Sequence, residues 1–131
     1  DAEKAKHVLQ YRSMPGTSRH HWGTDIDLNS CKPSYFETKE GQAVYNWLKE
    51  NAPMYGFYQP YTPLNIQRPF GYQEEKWHWS YKPLAQLMLV KYLELVFIDD
   101  ISGFKGDTAA KKLPIISEWV CGNNPQIKEE E

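Results

Sequence analysis

The chain has little of what would place it in several common functional classes. Its longest apolar run, Leu84 to Ile98, is broken by Gln86, Lys91 and Glu94. It falls short of the roughly 20 residues that span a bilayer, so no transmembrane segment is expected. Basic residues do not outnumber acidic ones: 15 Lys and Arg against 17 Asp and Glu give a net charge of -2. Without a basic stripe, DNA and RNA are not expected as partners. Cysteine is nearly absent. Cys31 and Cys121 are compatible with one disulfide or with two thiols; neither stands in a metal-binding spacing, and neither is assigned a function. Internal repeats and low-complexity linkers are missing, as is a signal sequence. The chain begins at Asp1, which leaves room for a removed leader or a longer upstream protein.

What is abundant is aromatic surface. Five Trp, nine Tyr and five Phe among 131 residues suit either a core of large rings or a site walled by flat amphipathic side chains. A composition of 40% hydrophobic and 24% charged residues describes one ordinary globular domain with one core. Ala2, Ala5, Val8 and Leu9 fall at helical offsets before a Pro15-Gly16 turn. Thr24 to Leu28 alternates, and predicts a strand with Ile26 and Leu28 on a buried face and Asp25 and Asp27 toward a cleft. Thr38 to Glu50 reads as a helix with Val44, Trp47 and Leu48 on one stripe, closed by Asn51-Ala52-Pro53. Tyr55 to Tyr58 and Glu75 to Tyr81 read as strands, and the proline-rich stretch Gln59 to Gly71 between them as an ordered loop. Pro83 opens an amphipathic helix reaching Phe97. A last helix is expected over Thr108 to Val120, kinked or divided by Pro114. This order favours an α+β fold with a small, mainly antiparallel sheet flanked by helices.

Only four histidines occur, and three of them sit in two short motifs. Ser18-Arg19-His20-His21-Trp22-Gly23 runs directly into Thr24-Asp25-Ile26-Asp27, and Glu75-Lys76-Trp77-His78-Trp79 follows half a chain later. The fourth, His7, lies on the polar side of the first helix and is read as a surface residue. Two imidazoles, a strand carboxylate and a second carboxylate three residues ahead of the last histidine are the inventory of a catalytic zinc site. Such a site has three ligands, an open fourth position for water, and a nearby carboxylate to move protons. Seven residues separate His20 from Asp27, an offset that an unbroken strand would send to opposite faces; the Trp22-Gly23 break is expected to reunite them. Glu75 and His78 share a face only if the strand starts after Glu75 or carries a bulge.

The patterns SxHxxGxxxD and ExWHW together resemble the zinc-dependent D-alanyl-D-alanine carboxypeptidases of the VanY type, peptidoglycan-trimming enzymes that share a fold with the hedgehog signalling domain. The likeness runs from about Pro15 to Tyr81. It implies a hedgehog/DD-peptidase-like zinc peptidase domain over residues 1–121, followed by a flexible tail over 122–131. One Zn2+ would be held by His20, Asp27 and His78, with Glu75 as general base, Ser18 lining the substrate pocket and Trp77 walling it. The family frame selects His20 over His21 and Glu75 over Glu74. The implied activity is removal of the C-terminal D-alanine from peptidoglycan stem peptides, outside the cytoplasm; no oligomeric state follows from it. The same ligands would serve an L,D-carboxypeptidase or a stem-peptide endopeptidase, and the same fold a non-catalytic, zinc-stabilised module that binds cell-wall peptides.

Two departures from the family pattern stand out. Asp25 replaces the usual Ala, and it either takes the N–H of a ligand histidine, pairs with an arginine or faces water. The upstream SxxRxxxxQ pattern, whose arginine and glutamine hold substrate in the family, is missing; Gln10 and Arg12 stand in the wrong order. A C-terminal portion of a longer protein would explain this.

Overall fold

The computed structural model describes residues 2–127. Its principal elements are α1 (Ala2–Val8), β1 (Asp25–Asp27), α2 (Lys39–Asn51), β2 (Phe57–Tyr58), β3 (His78–Tyr81), α3 (Lys82–Leu95) and α4 (Ala109–Lys112). Short 3-10 turns and a π-helical segment, Ile115–Val120, complete the chain. The fold is α+β, with one three-stranded antiparallel sheet in the order β1-β3-β2.

Pairing register decides what the sheet can do. Asp25 lies opposite Ser80, Ile26 opposite Trp79, and Asp27 opposite His78. Because side chains alternate along strands, Asp25, Asp27, His78 and Ser80 all emerge on one face. On the other face Trp79 is buried with Leu48 and Ala52, and Val44, Tyr45, Leu28 and Phe57 pack around them. The expected burial of Ile26 does not occur: it is 44% exposed. At Asp25 it is the carboxylate face that is buried, since the donors gathered there satisfy the charge.

The strands are shorter than the sequence pattern suggests. Before β2, Ala52–Tyr55 forms a 3-10 turn that ends at Gly56 with φ 83°. A side chain there would meet the Tyr81 ring at 2.7 Å. β3 begins only at His78, and the preceding residues turn so that the His78 N–H donates to the Glu75 carbonyl at 3.3 Å. That turn, not a bulge within the strand, allows Glu75 and His78 to face each other. The cap at the start of α2 is Thr38, whose Oγ1 accepts from Gly41 N–H at 3.0 Å. Its buried stripe is narrower than expected, because Trp47 stays 56% exposed.

A second and larger core gathers Leu9, Met14, Tyr61, Tyr72, Ile101, Ala109, Ala110, Ile115 and Trp119. It ties α1 to the C-terminal helices, and Trp119 Nε1 donates to the Leu9 carbonyl at 3.1 Å. The 59–71 loop is irregular, as expected, and is braced from inside by Arg68. Its buried guanidinium donates to the carbonyls of Thr62, Phe70 and Gly122.

The last helix is divided at Pro114, as expected, into α4 and the π-helical segment, because proline denies an N–H to the turn before it. Two other expectations need correction. α3 is not amphipathic in the expected sense: Lys82 and Ala85 are its buried residues, whereas Leu84, Leu87, Val90 and Leu95 are exposed. Nor is the chain end a solvated tail from Gly122. Asn123, Asn124 and Ile127 are buried, and Asn124 N–H donates to the Pro60 carbonyl at 2.7 Å. The remainder of that tail, 128–131, lies outside the described residues. Among the described residues, no helix is long and apolar enough to cross a membrane, and Cys31 and Cys121 are not joined by a disulfide.

Candidate metal centre

The first motif folds into a 3-10 turn, Arg19–Trp22, capped by Ser18, whose Oγ accepts from His20 N–H at 3.3 Å. Gly23 ends the turn in the left-handed region at φ 72°, a conformation that costs glycine little. The reversal swings His20 back over β1, so that its Nε2 stands 3.3 Å from Asp27 Oδ1 and its Nδ1 3.3 Å from the Asp25 carbonyl. Strand pairing brings His78 opposite Asp27. The two imidazoles stack, with ring centroids 4.5 Å apart. One donor atom from each of His20, Asp27 and His78 lies within 4.8 Å of the others. Buried Glu75 places Oε2 2.9 Å from His78 Nδ1.

Two imidazole nitrogens and one carboxylate oxygen are a donor set that zinc accepts. Tetrahedral ligands with bonds of about 2.0–2.2 Å stand roughly 3.4 Å apart, and the His20–Asp27 pair already has that spacing at 3.3 Å. These residues fit a divalent ion.

Asp25 lies just behind this group. Its Oδ2 accepts from Arg19 Nε at 3.0 Å and from His78 Nε2 at 2.6 Å, and its Oδ1 from the hydroxyls of Thr24 at 2.7 Å and Ser80 at 2.8 Å. Burial by itself would raise its pKa, yet the His78 hydrogen bond and the Arg19 charge hold the carboxyl well below the usual carboxylate range. For His78 the balance is similar. Burial disfavours its cationic form, and the hydrogen bonds to Asp25 and Glu75 outweigh that and push its pKa up. Both possibilities of histidine contact and arginine pairing are therefore realised at Asp25, and exposure to water is not.

The group opens into a cleft of about 730 Å³ lined by His20, Asp27, Glu75 and His78 together with Ser18 and Trp77. His21 and Glu74 are not among the residues lining it. Gln10 and Arg12, in the wrong order for the family pattern, line the cleft nonetheless, and exposed His7 reaches its edge. Tyr61 closes one side, edge-on to His78 at 5.0 Å. Cys31, to which the sequence gives no role, donates to Asp27 Oδ2 at 3.6 Å. Partial burial and the Asp27 carboxylate push its thiol pKa up, so it remains protonated. The residue that sequence reasoning missed is Arg19. It is 2% exposed, and its only signal was a cation inside the histidine motif six residues before an unexplained aspartate.

A model of the VanY family, described as D-alanyl-D-alanine carboxypeptidase, matches residues 1–84. An uncharacterized protein of Haemophilus influenzae is 33% identical over 86 residues, covering 56% of this chain and 64% of that protein. A D-alanyl-D-alanine carboxypeptidase of Enterococcus faecalis is 36% identical over 69 residues, covering 53% of this chain and 24% of that enzyme. The chain thus spans less than two thirds of the length of either relative. No solved structure matches. With a family match over more than half its length and the motifs gathered into one cleft, the chain belongs to the VanY D-alanyl-D-alanine carboxypeptidase family.

Proposed function

We propose that this chain is a zinc metallopeptidase domain that removes the C-terminal D-alanine from peptidoglycan stem peptides, acts outside the cytoplasm, and has a hedgehog/DD-peptidase-like fold that runs through Ile127. The observation that carries this reading is the convergence of His20, Asp27 and His78 within 4.8 Å at a cleft that also contains Glu75. His20, Asp27 and His78 would hold the zinc. When bound there, the ion would polarise a carbonyl oxygen and acidify water toward neutral pH.

The remaining work falls to side chains. Glu75 is the proton carrier: it accepts a proton from the attacking water and delivers it to the amine released when the last peptide bond breaks. Its burial keeps that carboxylate in one position between the two transfers. Ser18 and Trp77 border the space where the terminal residue sits. Trp77 offers a flat, largely desolvated wall, suited to excluding water from the reacting bond.

Metal analysis and peptide assays test the reading, run on this chain and on an N-terminally extended one. One zinc per chain and chelator-sensitive release of D-alanine from peptides ending in D-Ala-D-Ala are expected. Cleavage only after L-Lys in peptides ending L-Lys-D-Ala would make it an L,D-carboxypeptidase. Peptide binding without turnover in either form would make it a binding module and overturn the enzymatic reading.

A further inference from the structure

We propose that Asp25 is a positioning residue that fixes which nitrogen each histidine of the site turns to the metal: its main-chain carbonyl keeps the His20 proton on Nδ1, and its carboxylate keeps the His78 proton on Nε2. The donor atoms are then Nε2 of His20 and Nδ1 of His78. The inference rests on the zinc reading above and deepens it.

A neutral imidazole carries one ring proton, and the partner of one nitrogen decides what the other can do. A carbonyl oxygen only accepts, so the 3.3 Å contact between His20 Nδ1 and the Asp25 carbonyl requires the proton on Nδ1. Nε2 is left bare, facing Asp27 at 3.3 Å. His78 faces a carboxylate on each side, Asp25 Oδ2 2.6 Å from Nε2 and Glu75 Oε2 2.9 Å from Nδ1; the single proton of a neutral ring goes to the shorter contact, on Nε2, and Nδ1 is left to the cleft. One residue, two positions before a proposed ligand, therefore holds both rings from behind.

Asp25 can do this because it cannot move. Its two oxygens receive Thr24, Ser80, Arg19 and His78, two donors each. Arg19 is pinned in turn by Asn123 Oδ1 at 3.3 Å and Ser80 Oγ at 3.1 Å. An ion pair with a purely structural role would stabilise the fold without selecting a ring tautomer. That difference makes the two roles separable.

The test uses the chain labelled with 15N-histidine. Long-range 1H–15N correlation spectra are recorded on metal-free protein at alkaline pH and on zinc-loaded protein. Expected in both are Nδ1–H for His20 and Nε2–H for His78. In Asp25→Ala, the His78 proton should move to Nδ1, toward Glu75, and zinc affinity should fall about 10- to 100-fold. His20 should keep its tautomer there, because the main-chain carbonyl remains. Asp25→Asn retains an acceptor oxygen and should restore the His78 tautomer. A His78 proton on Nδ1 in the wild-type chain, or unchanged zinc affinity and tautomer in Asp25→Ala, would overturn the proposal. Should Asp25→Ala not fold, the wild-type spectra and Asp25→Asn decide. A chain that binds no zinc yet shows both tautomers would overturn the zinc reading and leave the tautomer assignment standing.

Discussion

Asp25 and Asp27 sit two residues apart on one face of β1, and the structure treats them in opposite ways. The side chain of Asp25 is 0% exposed and receives four donors; that of Asp27 is 36% exposed and meets His20 and Cys31. A carboxylate whose lone pairs are all taken has nothing left to offer an ion, whereas one with open lone pairs in a cleft does. Residue type and strand position are the same, so the difference comes from the partners that folding delivers. The site accordingly has a buried half of Arg19, Asp25, Ser80 and His78, and an exposed half of His20 and Asp27.

Substitutions on each half should produce different losses. On the exposed half, His20→Ala and Asp27→Ala are expected to abolish zinc uptake, read by metal analysis after dialysis, and hydrolysis with it. Glu75→Ala should retain the metal but lose about 10²- to 10⁴-fold in kcat/KM, roughly 3 to 5 kcal/mol of transition-state stabilisation. A variant with full activity would remove Glu75 from its role. On the buried half, Arg19→Met removes the guanidinium from Asp25 and leaves that buried carboxylate to His78 and two hydroxyls. It should cost about 3 to 5 kcal/mol of stability, visible as a lower Tm of the metal-free chain.

A smaller effect is expected from pH. Asp25 has a folded pKa below its unfolded value, so its contribution is present above about pH 4 and fades as pH falls further. His78 has a folded pKa above its unfolded value, so its contribution to the metal-free chain is complete below about pH 6.5 and is lost as pH rises through the folded pKa. Metal-free stability should therefore peak between these limits. The Tm gain from added zinc should grow toward higher pH, where His78 Nδ1 gives up its proton. A zinc-induced gain that falls with pH would contradict this. The smallest effect closes the comparison: in the metal-free chain, Asp27→Ala should change stability by less than about 1 kcal/mol, because the residue is half exposed and loosely paired.

The members of the proposed site were legible because their chemistry is spelled in short spacings. His20, Asp27, Glu75 and His78 follow from two motifs, and the strands that carry Asp27 and His78 follow from alternation and aromatic content. What supports them was not legible, for a physical reason. The partners of Asp25 include Ser80 and His78, 55 and 53 residues away, and Arg19 reaches Asn123 across 104; no local pattern encodes such pairings. The polar segment after Gly122 looked solvated because asparagine usually is, yet Asn123 and Asn124 are buried by bonding to Arg19 and to main-chain carbonyls. The apolar residues of α3 misled in the other direction, since hydrophobicity predicted a buried face that the described residues do not cover.

Gly122 packs against Gly71 so closely that an added methyl would stand 2.6 Å from the Phe70 carbonyl and 3.0 Å from the Gly71 α-carbon. The next residue is the one that grips Arg19. A bulkier residue at 122, or removal of the segment beyond Cys121, would therefore loosen the guanidinium, then the aspartate it steadies, then the imidazole behind the cleft. Damage after Cys121 would register in metal retention as well as in stability, since the same segment also braces Arg68 and the Pro60 carbonyl.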